Sequence, residues 1–115
     1  MVNSEKEILL KMILDHHDLQ QYLHPDLPER VPVKIKSNNE LGTNLSVEKF
    51  GKPIEFINSD VSARTVPMLE VVLFNIGVNK VLFEIVYDIE GVTIKGELGR
   101  NATGWVFKDF EVFES

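Results

Sequence analysis

Residues 81–98 read VLFEIVYDIEGVTIKGEL, and the alternation in this stretch decides the fold class. Val81, Phe83, Ile85, Tyr87 and Ile89 make one apolar face, because successive side chains of a strand point to opposite sides. Glu90-Gly91 reads as a tight turn. After it Val92, Ile94 and Leu98 alternate with Thr93, Lys95 and Glu97. Two strands joined by so short a turn must run antiparallel.

The same pattern extends on both sides. Met68 to Ile76 is apolar on both faces apart from Glu70 and Asn75, which places it inside a sheet. Simple alternation sets Val72, Phe74 and Ile76 on one face and Leu69, Val71 and Leu73 on the other. Gly99 to Gly104 reads as a loop and Trp105 to Phe113 as the last strand. Phe107, Phe110 and Phe113 cannot share a face by strict alternation, so a bulge near Lys108 or Asp109 is expected. Gly96 in mid-strand is a candidate bend that curves the sheet.

Toward the N-terminus the period changes. Residues 4–24 read as one helix, opened by a Ser4–Glu7 capping box and ended by Pro25 and Pro28. Ile8, Leu9, Met12, Ile13, Leu19 and Leu23 fall on one broad face, opposite Lys11, Asp15, Asp18 and Gln21. Val31 to Lys36 alternates as a strand, and Pro32 suggests an edge strand or a strand start. Leu45–Phe50 and Ile54–Ile57 flank Gly51-Lys52-Pro53 as a short hairpin, and Asn58 to Arg64 is a polar loop. The expectation is a single α+β domain over residues 1–115. One N-terminal amphipathic helix packs on a curved antiparallel meander of about four to six strands within 31–113.

Composition narrows function by exclusion. The 115 residues carry net charge −6, 43% hydrophobic residues and no cysteine. One domain of this size buries roughly two thirds of its unfolded surface. Without cysteine there is no disulfide framework, thiolate metal site or cysteine nucleophile. The acidic balance opposes nucleic-acid binding, which needs Lys and Arg against phosphate, and Lys34-Ile35-Lys36 is the densest basic stretch. No apolar run approaches the ~20 residues of a membrane span. Met1 to Glu7 has mixed charge and does not read as a signal peptide. A cytoplasmic location is expected, with no cofactor, no metal, no nucleic acid and no membrane partner.

The segment Phe83–Val92, with its Glu90-Gly91 turn, and the later Gly104-Trp105-Val106-Phe107 resemble the closing strands of two α+β families. These are the cystatin-like and the nuclear-transport-factor-two-like families, and the resemblance covers residues 68–113. It implies a helix-on-curved-sheet fold and no particular activity, since such folds host enzymes, carriers and binding modules alike. The transport-factor-like fold has three helices coned over the sheet, whereas this chain supplies one.

Few residues suggest chemistry. His16 lies within the apolar stripe of the helix, where a side chain that titrates near neutrality suits a general acid or base. The plainer alternative is a core histidine bonded to a carbonyl. His17 and His24 are two helical turns apart, roughly 10 Å, too far to share one zinc. Glu70 and Glu84 sit among apolar strand residues and would form an acid–base pair only if both faced inward. Alternation sends Glu84 outward. Tyr87 and Trp105 are candidate apolar walls of a ligand pocket, and Asp60 and Arg64 candidate partner contacts in the polar loop. Arg30 and Arg100 read as solvated. No Gly-rich phosphate loop, Gly-x-Ser-x-Gly or His-Glu-x-x-His occurs.

The aromatic count carries more. Seven Phe, two Tyr and one Trp need housing, and one helix covers one face of a sheet. A second copy, a partner, or residues 38–66 folding back must then cover the other. The expected function is therefore non-enzymatic binding, with homodimerisation through a sheet face. An immunity-type inhibitor of a basic protein is one form of it. The alternative is a small-molecule binder or enzyme with a pocket between helix and sheet, using His16 and Glu70 as acid and base.

Overall fold

The structure is a computed structural model that describes residues 1–57 and 65–114. Its long elements are helix α1 (Asn3–Asp15) and strands β5 (Leu69–Gly77), β6 (Lys80–Tyr87), β7 (Val92–Asn101) and β8 (Gly104–Glu114). The shorter ones are α2 (Gln20–Leu23), β1 (Lys34–Lys36), β2 (Glu48–Lys49), β3 (Lys52–Pro53) and β4 (Glu55–Phe56). The main sheet has six strands in the order β4-β1-β5-β6-β7-β8. This is the α+β architecture expected, and β5 to β8 form the antiparallel meander.

The sheet departs from a pure meander at one side. β1 pairs parallel with both β4 and β5, so it lies inside the sheet and not at its edge. Pro32 sits just before it, where a missing amide breaks no ladder bond. The hairpin is also tighter than expected. Glu48 pairs with Pro53 and Lys49 with Lys52, leaving Phe50 and Gly51 as the two turn residues. Both have positive φ, 56° and 76°, the backbone of a two-residue turn that matches strand twist. Ile54–Ile57 leaves this hairpin, and β4 within it joins the main sheet. Near the C-terminus β7 and β8 extend through much of the expected 99–104 loop, with Ala102-Thr103 as the turn. Ile89 is not on the β6 face. Asp88–Glu90 is a 3-10 turn closed by left-handed Gly91, and Ile89 is exposed.

The single helix expected over 4–24 is broken. α1 ends at Asp15, and His16 has ψ 134°, outside the helical range. The Asp18 amide donates to His16 Nδ1 at 3.1 Å, a side-chain bond in place of a helical one. Gln20 Nε2 donates to the Leu14 and His16 carbonyls, which satisfies the free end of α1. Nor does the capping box form. Val2 holds the N-cap position, and Glu7 Oε2 accepts from the Ser46 amide at 2.7 Å instead. The buried face of α1 is Leu9, Leu10, Ile13 and Leu14, so the wheel is rotated and Ile8 lies outside.

Register decides which strand residues enter the core. A shift between Val71 and Leu73 turns Leu69, Val71 and Phe74 inward and leaves Val72 and Leu73 outside. A second shift between Glu97 and Leu98 skips Lys108 on β8, at the bulge expected there. Phe107, Phe110 and Val112 consequently all pack on the core, and Phe113 faces the other way. The core lies between α1, α2 and the inner face of β5–β8, with Phe74, Phe83, Val81, Ile94 and Leu98 at its centre. Among the described residues, no helix is long and apolar enough to cross a membrane.

Candidate functional site

His16 leaves the end of α1 and lies against β8. Its ring stacks on Phe110 with centroids 3.6 Å apart and interplanar angle 5°, and meets Phe107 edge-on at 4.8 Å. His17 stacks on it at 4.5 Å. The side chain is only 12% exposed. Burial, helped by the neighbouring His17 and opposed by Asp18, pushes its pKa below the usual histidine value. The neutral ring accepts the Asp18 amide at Nδ1, so its proton sits on Nε2. The ring is thus held by aromatic packing and by a backbone amide, where the sequence reading offers a carbonyl partner.

Glu70 lies on the other side of the sheet. It pairs across the ladder with Val86, while its neighbours Leu69 and Val71 face the core. Its carboxylate meets Lys36 Nζ at 3.5 Å. The structure therefore does not bring His16 and Glu70 together. Glu84 also faces outward, as alternation indicates, and meets Lys95 Nζ at 3.7 Å.

Tyr87 and Trp105 do not share a wall. Tyr87 pairs with Val92 at one end of β7, and Trp105 pairs with Arg100 at the other. Eight residues of strand separate those ends, about 27 Å. Trp105 Nε1 donates to Glu5 Oε2 at 3.1 Å, and the Arg100 guanidinium pairs with that carboxylate and stacks over the indole. Asp60 and Arg64 lie outside the described residues.

The sequence gives no sign that Arg30 is buried. Its side chain is 8% exposed, held by Glu90 Oε2 at 2.9 Å and lying over the Tyr87 ring. Glu90 Oε1 meets His24 Nε2 at 3.2 Å, so one carboxylate ties two basic side chains from the α2 region to the β6–β7 turn. Arg30 Nε has no hydrogen-bond partner among the described residues. Burial raises the Tyr87 pKa. This cluster fastens the α2 region to the β6–β7 turn.

His16, His17 and Asp18 offer ligand-type atoms within 4.8 Å of one another, a grouping the helical reading of this region conceals. The two rings are stacked within 20° of parallel. Ring nitrogens bind metals along in-plane lone pairs, so near-parallel stacked rings do not converge on one ion. His24 is elsewhere, on Glu90. An open groove of about 530 Å³ runs between α1 and residues 46–48, with Ile8, Met12 and Val47 along it. Two of its polar side chains are engaged: Glu7 by the Ser46 amide, and Lys11 by the Glu48 carbonyl and Asp15.

The outer face of β5–β8 has no element over it among the described residues. The register sets it out in rows. Glu70, Val86, Thr93 and Phe113 form one, Leu73, Glu84, Lys95 and Glu111 the next, and Asn75, Leu82, Glu97 and Asp109 a third. Apolar residues gather on β5 and β6, where Val72 is 53% and Leu73 39% exposed. Carboxylates gather on β7 and β8. The helices and the hairpin make their contacts on the opposite side, as with Tyr22 to Glu114, Trp105 to Glu5 and His16 to Phe110.

No protein-family model, curated protein or solved structure matches this chain.

Proposed function

We propose that this protein acts by binding another polypeptide and not by catalysis, with the outer sheet face as its contact surface and a second copy as its first partner. The observation that carries this reading is the apolar patch of exposed Val72 and Leu73 and half-buried Leu82 and Val86 on β5 and β6, over which no element of the described residues lies. Burying such a patch against its own two-fold mate removes apolar area from water at about 25 cal/mol per Å². The Glu84–Lys95 and Lys36–Glu70 pairs beside it are already neutralised within one chain, which lowers the cost of bringing two faces together. A cytoplasmic setting and a role as inhibitor of a basic protein accord with the acidic, cysteine-free sequence. The cystatin-like and transport-factor-like resemblance of residues 68–113 is part of the same proposal.

Sedimentation velocity over a concentration series tests the dimer. The wild-type chain should sediment as a dimer and Leu73→Asp, at a position already partly in water, as a folded monomer. A wild-type monomer at every concentration would sink the homodimer.

A further inference from the structure

We propose that the free edge of β8 accepts an extended segment of a partner polypeptide, added as a further strand, in which basic and apolar residues alternate. The proposal rests on reading the chain as a binding module but not on its dimerisation.

Among the described residues β8 is the terminal strand of the sheet and pairs with β7 alone. It spans Gly104–Glu114, and the other terminal strand, β4, has two residues. An unpaired strand edge is a row of backbone donors and acceptors that a further strand satisfies. The bulge at Lys108 interrupts the first half of β8 and leaves Asp109–Glu114 in regular register with β7.

The side chains along that half select the occupant. Asp109 and Glu111 point to the outer face, Asp109 opposite Glu97 of β7 and Glu111 opposite Lys95, and Phe110 and Val112 point to the inner face. Residues directly opposite each other on adjacent strands stand about 4.5–5.5 Å apart, and like charges there repel. A second copy of β8 is therefore a poor occupant. A two-fold through Phe110 sets Glu111 against Asp109, and one through Glu111 sets that residue against itself. One through Val112 sets Glu111 against Phe113 and Glu114 against Phe110. A strand with Lys or Arg opposite Asp109 and Glu111 instead forms two opposite-charge pairs. Its alternate residues, if apolar, extend the inner row of Phe110 and Val112. The same carboxylates thus discourage self-pairing and admit a basic strand.

The test titrates the full chain with a short synthetic peptide alternating lysine and valine. Controls are its glutamate–valine counterpart and a peptide of identical composition with the lysines in one block. Binding is read by fluorescence anisotropy and by amide shifts in NMR spectra. The expected result is binding of the alternating lysine peptide alone, weakening with salt, with shifts concentrated at residues 109–114. Asp109→Lys and Glu111→Lys, both at exposed positions, should each weaken it by about tenfold or more while the fold is retained. Equal binding of the blocked peptide, no binding, or indifference to both substitutions would overturn the proposal. Sedimentation of the peptide-free samples reports the dimer separately, so either idea can fail alone.

Discussion

Phe83 and Gly96 face each other across β6 and β7, and the Phe83 ring occupies the space that a side chain at residue 96 would need. A Cβ built on Gly96 falls 2.5 Å from the ring and 2.5 Å from the Asp109 carbonyl oxygen. The absent side chain lets the ring lie flat on the sheet, where Phe107 and Phe110 close over it at 6.4 and 6.0 Å. Gly96→Ala should therefore destabilise the protein by about 1–3 kcal/mol through overpacking. Urea denaturation of the variant checks this, and a change below about 0.5 kcal/mol would contradict the packing argument.

Glu90 is the shared anchor of Arg30 and His24. Glu90→Gln leaves the buried Arg30 guanidinium without its counter-charge and should cost about 3 kcal/mol. Arg30→Met removes the buried charge itself and should cost less. Chemical denaturation of both variants gives the comparison; a greater loss for Arg30→Met would mean that its contact with Tyr87 matters more than its pairing.

His16 makes stability depend on pH. Its folded pKa lies below the ordinary value of 6.5 because burial disfavours the charged ring. Above 6.5 folded and unfolded chains are both neutral at this residue. Below it the unfolded chain takes up a proton that the folded one refuses, so stability falls as pH drops from 6.5 toward the lowered folded value. Thermal melts between about pH 8 and pH 5 should show this fall, and His16→Phe, which keeps a ring on Phe110, should lessen it. An unchanged pH profile in that variant would assign the effect to other groups.

Trp105 is the only tryptophan, so its emission reports the Glu5 contact directly. Glu5→Ala should shift the emission to longer wavelength and cost about 1–2 kcal/mol, since it frees an indole N–H and the Arg100 charge together. An unshifted spectrum would mean that Glu5 does not order the indole.

The legible part of the fold was the part ruled by period two. Residues 81–87 and 92–98 alternate cleanly, and the crowding of Phe107, Phe110 and Phe113 points to a bulge near Lys108 or Asp109, which the register places at Lys108. What alternation misread was Val72 and Leu73, because a one-residue shift in register moves a side chain to the opposite face without altering composition. The helix was misjudged at His16 for a related reason. Apolar spacing continues past Asp15, yet side chains of His16 and Gln20 take the backbone bonds that a helix would use. Arg30 reads as solvated but is buried, because the counter-charge that permits its burial, Glu90, lies sixty positions away. Tyr87 and Trp105 were paired as pocket walls on residue type alone, and the ladder sets them at opposite ends.

The connectivity of the sheet also orders its assembly in time. β5, β6, β7 and β8 are sequence neighbours joined by short turns at 78–79, 88–91 and 102–103, so each pairing closes a small loop. β1 meets β5 in parallel only after the chain has travelled from residue 36 to residue 69, and closing that span costs more entropy before any contact rewards it. On this ground the meander is expected to form first and the parallel β1–β4 side to complete it. The half of the chain with the plainest pattern is also the half that needs the least help from the rest to take shape.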